Sequence, residues 1–224
     1  TNALYRLALK KGVVFKFNHS VEKIIHENKT VKGVVVNGEQ ILSDLIISNA
    51  DVYHTYNKLL GQETKANKLA RQERSSSALI FYWGINKQFD ELGLHNILFS
   101  NNYKEEFDCL FNKKTIHNDP TVYINITSKM EKEQAPVGCE NWFVMINAPT
   151  NNGQDWETLI KETRKNVIEK INRILQTDIE QYIQTETMLD PRSIEKKTST
   201  YRGSLYGTSS NSPLAAFFRP GNFS

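Results

Sequence analysis

The dipeptide Asn37-Gly38 constrains this chain more than any other pair of residues. It lies between a branched run, Val31 with Val34-Val35-Val36, and a shorter resumption at Gln40-Ile41. Both turn positions tolerate positive φ, so two residues suffice to close a hairpin whose twist matches its strands. The neighbourhood extends the pattern. Residues 21–26 read as a strand, with residues 27–30 as its turn, and residues 13–17 read as a short strand before it. Residues 45–47, Leu-Ile-Ile, have the apolar composition of a strand covered on both faces. Asn49 and Asp51 stand at its carboxyl end, and Asp51 is placed to cap a helix over 52–60. Upstream, Leu4, Leu7, Ala8 and Lys11 follow helical spacing, with Gly12 as the stop.

Composition changes after residue 60. Residues 61–72 are polar and helical in part. Four strands then follow, over 75–86, 96–100, 121–127 and 141–147, which suit an antiparallel sheet with one covered face. Residues 155–175 make the clearest helix. Asp155 is its N-cap, and Trp156, Leu159, Ile160, Thr163, Val167, Ile171 and Ile174 form one stripe that packs on the sheet. Residues 182–189 read as a further strand, stopped by Pro191. Residues 198–224, rich in Gly, Ser and Pro, form a long loop of the kind that covers something or has a job. The fold class is α+β.

Several functions are poorly supported. With 28 basic and 25 acidic residues the charge is nearly balanced, and the lysine pairs at 10–11, 113–114 and 196–197 are isolated, so no nucleic-acid partner is expected. Cys109 and Cys139 form no CxxC pair and sit in no metal-like cluster, as expected of free thiols in a reducing compartment. No apolar run approaches the roughly 18 residues of a spanning helix, which leaves peripheral membrane contact open. The five histidines make no H-E-x-x-H spacing, and no G-x-S-x-G elbow occurs. Nor is there a G-x-G-x-x-G turn to hold a dinucleotide phosphate.

Three stretches together resemble a known family. The first runs from Gly12-Val13-Val14-Phe15 through Val21-Glu22-Lys23-Ile24 and Gly33-Val34 to Ser48-Asn49-Ala50-Asp51, a pattern shared by many flavin oxidoreductases. The second is Tyr123-Ile124-Asn125-Ile126 with Ala135-Pro136-Val137-Gly138 and the strand ending at Pro149. The third and most specific is Arg202-Gly203-Ser204-Leu205-Tyr206-Gly207 with Ala216-Phe217-Phe218-Arg219-Pro220. Together they resemble the phytoene desaturases, the FAD-dependent carotenoid dehydrogenases of the amine-oxidase-like flavoproteins.

The resemblance implies part of an FAD-binding domain over 1–62, a substrate domain with an antiparallel sheet over 63–197, and a loop over 198–224 returning toward the flavin domain. It implies desaturation of a carotenoid precursor such as phytoene, with hydride passing to FAD and then to quinone or oxygen. A lipid-borne polyene implies a cytoplasmic protein peripherally attached to the membrane. Lacking the glycine turn, the chain reads as the middle of a longer flavoenzyme, binding FAD weakly or not at all alone and exposing apolar surface beside Val13, Ile47 and Phe217. A carotenoid isomerase or a retinol-saturase-like reductase fits the same pattern. A non-enzymatic module binding lipid or protein is the alternative from another class.

Site residues follow from the same resemblance. The Val21 backbone passes the adenosine half of FAD, Ser48 and Asp51 lie near the cofactor, and Gly203 admits close backbone approach. Arg202 and Arg219 flank the glycine-serine loop and could stabilise negative charge on a reduced flavin or a quinone. His54 is the histidine placed to act as acid or base. Phe81, Trp83, Tyr123, Phe143 and Phe217 are tunnel-wall candidates, drawn from an aromatic set that also includes Tyr82, Phe99, Trp142 and Phe218. Each has a plainer reading beside it: sheet pairing for Val21, a helix cap for Asp51, loop ties for the arginines and core packing for any one aromatic.

Overall fold

The hairpins form where the turn chemistry places them. In the computed structural model, which describes residues 1–209, Asn211 and Phe217, Asn37 and Gly38 have φ of 52° and 79°, and Asn28 and Lys29 have 47° and 63°. Strands β1 (Val21–Glu27), β2 (Thr30–Val36) and β3 (Glu39–Leu42) pair antiparallel in that order. They belong to the first of two units, Thr1–Leu69, the second being Ala70–Ser224.

In the first unit, α1 (Asn2–Lys10) ends at Gly12, whose φ is +82°. The Gly12 N–H reaches the Leu9 carbonyl and the Val13 N–H the Ala8 carbonyl, so two orphan carbonyls of the last turn are satisfied. Helix α2 (Val52–His54) widens into a looser turn over Thr55–Leu59, with the Asp51 carboxylate accepting from the Tyr53 N–H at 2.8 Å. Helix α3 (Glu63–Ala70) follows.

Two expected strands do not form. Residues 13–17 and 45–47 pair with no described strand. Apolar, branched composition suits a sheet but does not make one, because a strand's N–H and C=O groups need a neighbour. Phe15 and Phe17 instead stack on each other at 5.8 Å, with Tyr5 against both. Leu45 and Ile47, expected to be covered, are 73% and 86% exposed, and Val13 and Phe217 are exposed as well.

The second unit is built on a five-stranded antiparallel sheet of order β5-β6-β7-β4-β8, comprising β4 (Ser77–Ile85), β5 (His95–Leu98), β6 (Val122–Ile126), β7 (Glu140–Ala148) and β8 (Ile183–Leu189). Burial alternates residue by residue along β6 and β7, as expected when one face is covered. That face carries Leu79, Phe81, Trp83, Ile124, Trp142, Val144 and Ile146. Helix α5 (Trp156–Leu175) joins the same core through Trp156, Ile160, Val167, Ile168 and Ile171. A large apolar side chain contributes about 1.5–3 kcal/mol when fully buried, so this face holds the unit together. Ile168 lies in the core where the helical stripe anticipates Ile174, which is exposed.

Buried polar groups pin the loops to this core. Glu140 accepts from the Phe89 N–H, the Trp142 indole and Lys129. Glu106 accepts from the Thr121 N–H at 2.9 Å and its hydroxyl at 2.7 Å. Two helices lie outside the sequence expectation. Helix α4 (Tyr103–Asp108) continues as a wider turn over Cys109–Lys113. In α6 (Pro191–Thr198), Pro191 begins a helix rather than merely stopping a strand, with Asp190 and Ser193 capping each other reciprocally.

Candidate functional site

The face of the five-stranded sheet opposite α5 carries a row of aromatic rings. Strand register places Tyr82 of β4 directly across from Phe143 of β7, and Phe143 across from Asn125 of β6. The Tyr82 and Phe143 rings meet edge to face at 5.5 Å, and Phe143 meets Tyr123 at 6.2 Å in the same way. Tyr123 then stacks with His95 of β5 at 6.0 Å and 18°. The row crosses four strands, roughly 15 Å at the usual strand spacing. Ile80, Met145 and Leu189 share this face and pack with Ala78 and Ile194. Ile97, on the same side of β5 as His95, is exposed.

Polar groups gather where the row reaches β5, at the sheet edge. Tyr123 Oη lies 2.7 Å from His95 Nδ1, and Asn125 Nδ2 lies 3.1 Å from the same nitrogen. Asn125 Nδ2 also donates to the Leu94 carbonyl at 2.9 Å.

The expected wall residues divide by strand parity. Tyr123 and Phe143 lie on the open face, and Tyr82 joins them from β4, which runs between β7 and β8. Phe81 and Trp83, at 1% and 2% exposure, lie on the other face in the core with α5 and line no open surface. Successive side chains of a strand point to opposite sides, so the aromatic run Phe81-Tyr82-Trp83 cannot act as one wall. Trp142 is likewise buried. Sequence reasoning misses His95 and Asn125, because only the pairing of β5 with β6 brings them together.

The glycine-serine loop is tied to its own unit. Arg202 has φ +57°, its guanidinium donates to Asn152 Oδ1 at 2.6 Å, and it lies over the Tyr201 ring. Its N–H donates to Glu195 at 3.0 Å. Gly203, with φ +70°, makes its close approach to protein: an added Cβ would stand 2.3 Å from the Pro191 carbonyl oxygen. Residues beyond it run beside the start of β4, with Leu205, Ser75 and Ser209 donating backbone bonds to Ser76, Gly207 and Glu73. Arg219 and Phe218 lie outside the described residues.

In the first unit, Val21 pairs with Val36 at the end of β1. Ser48 bonds Thr55 at 2.8 Å, Asp51 caps α2, and His54 lies edge to face with Tyr53. A cleft of about 390 Å³ is bounded by residues 22–26 of β1 and residues 58–61. A dinucleotide diphosphate needs a glycine-rich turn opening a helix, whose backbone N–H groups face the phosphates. No such turn occurs in the sequence, so the residues present do not fit a whole FAD. Among the described residues no group of His, Cys, Asp and Glu could hold a metal, and no helix is long and apolar enough to cross a membrane.

Comparison with known proteins supplies the relatives. The chain is 52% identical over 223 residues to the 1-hydroxycarotenoid 3,4-desaturase of Flavobacterium sp. (strain P99-3), covering 100% of this chain and 46% of that protein. Along its whole length it matches members of the carotenoid and phytoene desaturases. The phytoene desaturase of Fusarium fujikuroi is 30% identical over 243 residues, covering 98% of this chain and 43% of that desaturase. The chain thus spans less than half the length of these desaturases. No family model matches it. An oxidoreductase of Methanosarcina mazei shares the fold, with a TM-score of 0.56 at 14% identity over 84% of this chain and 40% of that one.

Proposed function

We propose that this chain supplies the polyene-binding sheet of an FAD-dependent carotenoid desaturase. The aromatic row on the open sheet face carries the reading. Rings and aliphatic side chains offer a flat conjugated chain a large apolar contact, and a row across strands holds it extended. Tyr82, Phe143 and Tyr123 are the wall residues. The matched desaturase named for a 1-hydroxycarotenoid makes a polyene with a hydroxylated end the favoured substrate over phytoene.

In this reading the first unit is part of the flavin domain, with Val21, Ser48 and Asp51 on its cofactor side. FAD held by the whole protein would supply the hydride acceptor, with a quinone or oxygen as the final acceptor. The residues described here bind and orient the polyene and keep water from it. Peripheral contact with a membrane gives access to the substrate.

The test is anaerobic mixing of the whole purified protein with a hydroxylated carotenoid, followed spectroscopically and by chromatography of the product. Bleaching of the flavin band with a product short of two hydrogens is expected. Bound flavin that never bleaches points to an isomerase or reductase. Absence of flavin after reconstitution with FAD overturns the oxidoreductase reading and leaves a binding module.

A further inference from the structure

We propose that His95 and Tyr123 read a hydroxyl group at one end of the polyene. The inference rests on the reading that the aromatic face binds the polyene, and it adds which chemical end lies at β5.

Asn125 orients the pair. Its Nδ2 faces the Leu94 carbonyl, which accepts only, so the amide orientation is fixed with the NH₂ on that side. The same NH₂ lies 3.1 Å from His95 Nδ1. An amide NH₂ donates and does not accept, so Nδ1 carries the lone pair and the neutral ring holds its proton on Nε2. The Tyr123 hydroxyl, 2.7 Å from Nδ1, then donates to it as well. Asn125 is a positioning residue that sets the tautomer.

Two capacities remain. No described residue accepts from His95 Nε2, and Tyr123 Oη keeps lone pairs after donating its proton. One donor and one acceptor therefore stand side by side at the edge of an otherwise apolar row. A hydroxyl group both donates and accepts, and so answers both. A hydrocarbon end would cover the pair and leave both groups without water or partner, which is the usual physical basis of strong discrimination between substrates.

The experiment uses the whole protein and two polyenes of equal conjugated length, one with a terminal hydroxyl and one without. The readout is the ratio of kcat/KM for the hydroxylated polyene to that for the hydrocarbon. His95→Phe and Tyr123→Phe keep a planar ring, and each is expected to lower this ratio by about 10-fold, the size of one hydrogen bond. His95→Gln, which restores an N–H donor, is expected to recover part of it. A ratio unchanged in both phenylalanine variants overturns the inference. Phe143→Ala separates the two readings. A loss for both polyenes alike, beside an unchanged ratio in the other variants, leaves the aromatic face standing and removes only the end-group assignment. No loss for either polyene removes the face itself. If neither polyene is turned over, the ratio of dissociation constants, read by quenching of tryptophan fluorescence, takes the place of kcat/KM with the same outcomes.

Discussion

Gly203 and Gly207 allow backbone conformation to be separated from crowding. Their φ angles are nearly equal, +70° and +71°, so an alanine at either meets the same left-handed penalty, about 1–2 kcal/mol. Part of that is offset because alanine also restricts the unfolded chain, by roughly 0.4–1 kcal/mol. Gly207→Ala, with nothing within 4 Å of the added carbon, is expected to cost about 1 kcal/mol in all. Gly203→Ala meets the Pro191 carbonyl oxygen at 2.3 Å and its carbon at 3.0 Å. Both are backbone atoms at the first turn of α6, so relief requires moving the helix or the loop. The Ser77 hydroxyl bond to the Gly203 carbonyl, 2.6 Å long, is disturbed with it. Overpacking of this kind adds about 1–3 kcal/mol, for a total near ~3 kcal/mol. Urea unfolding followed by tryptophan fluorescence is the assay. Trp83, Trp142 and Trp156 all lie in the second unit, so the signal reports that unit alone. Equal midpoints for the two variants would refute the role assigned to Pro191.

Other substitutions test other parts of the second unit. Glu140→Ala leaves the Trp142 indole and the Phe89 N–H without their acceptor and is expected to cost about 3–5 kcal/mol in the same assay. Phe81→Ala opens a cavity in the core and is expected to cost about 3–5 kcal/mol, whereas Phe143→Ala costs about 1–2 kcal/mol and is seen chiefly as weaker polyene binding in a fluorescence titration. Burial pushes the Asp190 carboxyl up, but hydrogen bonds from Ser193 and Arg192 outweigh it and hold it below the ordinary carboxylate range. A depressed carboxyl adds stability above its unfolded pKa, near ~4, and that stability is lost as pH falls through the folded value. Asp190→Asn is therefore expected to be less stable than the parent at neutral pH, with the gap in urea midpoint closing in acid.

Much of the fold is legible in the sequence because local chemistry decides it. Asn37-Gly38 closes its hairpin, Asp155 caps α5 through Thr158, and Asp51 caps α2. The failures lie where a partner decides. Residues 13–17 and 45–47 have strand composition and no described strand beside them. Helix α4 is short, polar and without a long stripe, and Pro191 is ambiguous because proline ends strands and begins helices alike. The site is half legible. Alternation along β4 requires two faces, but it does not say which α5 covers, so Phe81 and Trp83 are as plausible from sequence as Tyr82. His95 and Asn125, thirty residues apart, carry no shared signal until β5 pairs with β6.

The alternation of the sheet also shapes how this protein can change over generations. Along β4, β6 and β7 one set of residues holds the core with α5, and the interleaved set lies on the other face, where Ala78 and Ile80 are buried against Ile194 while Tyr82, Tyr123, Asn125 and Phe143 stay partly exposed. Replacements at the partly exposed positions change that face while leaving the core beneath it in place. On the proposed reading of that face, a lineage can shift its ligand by single steps at those positions, each tolerated by the scaffold.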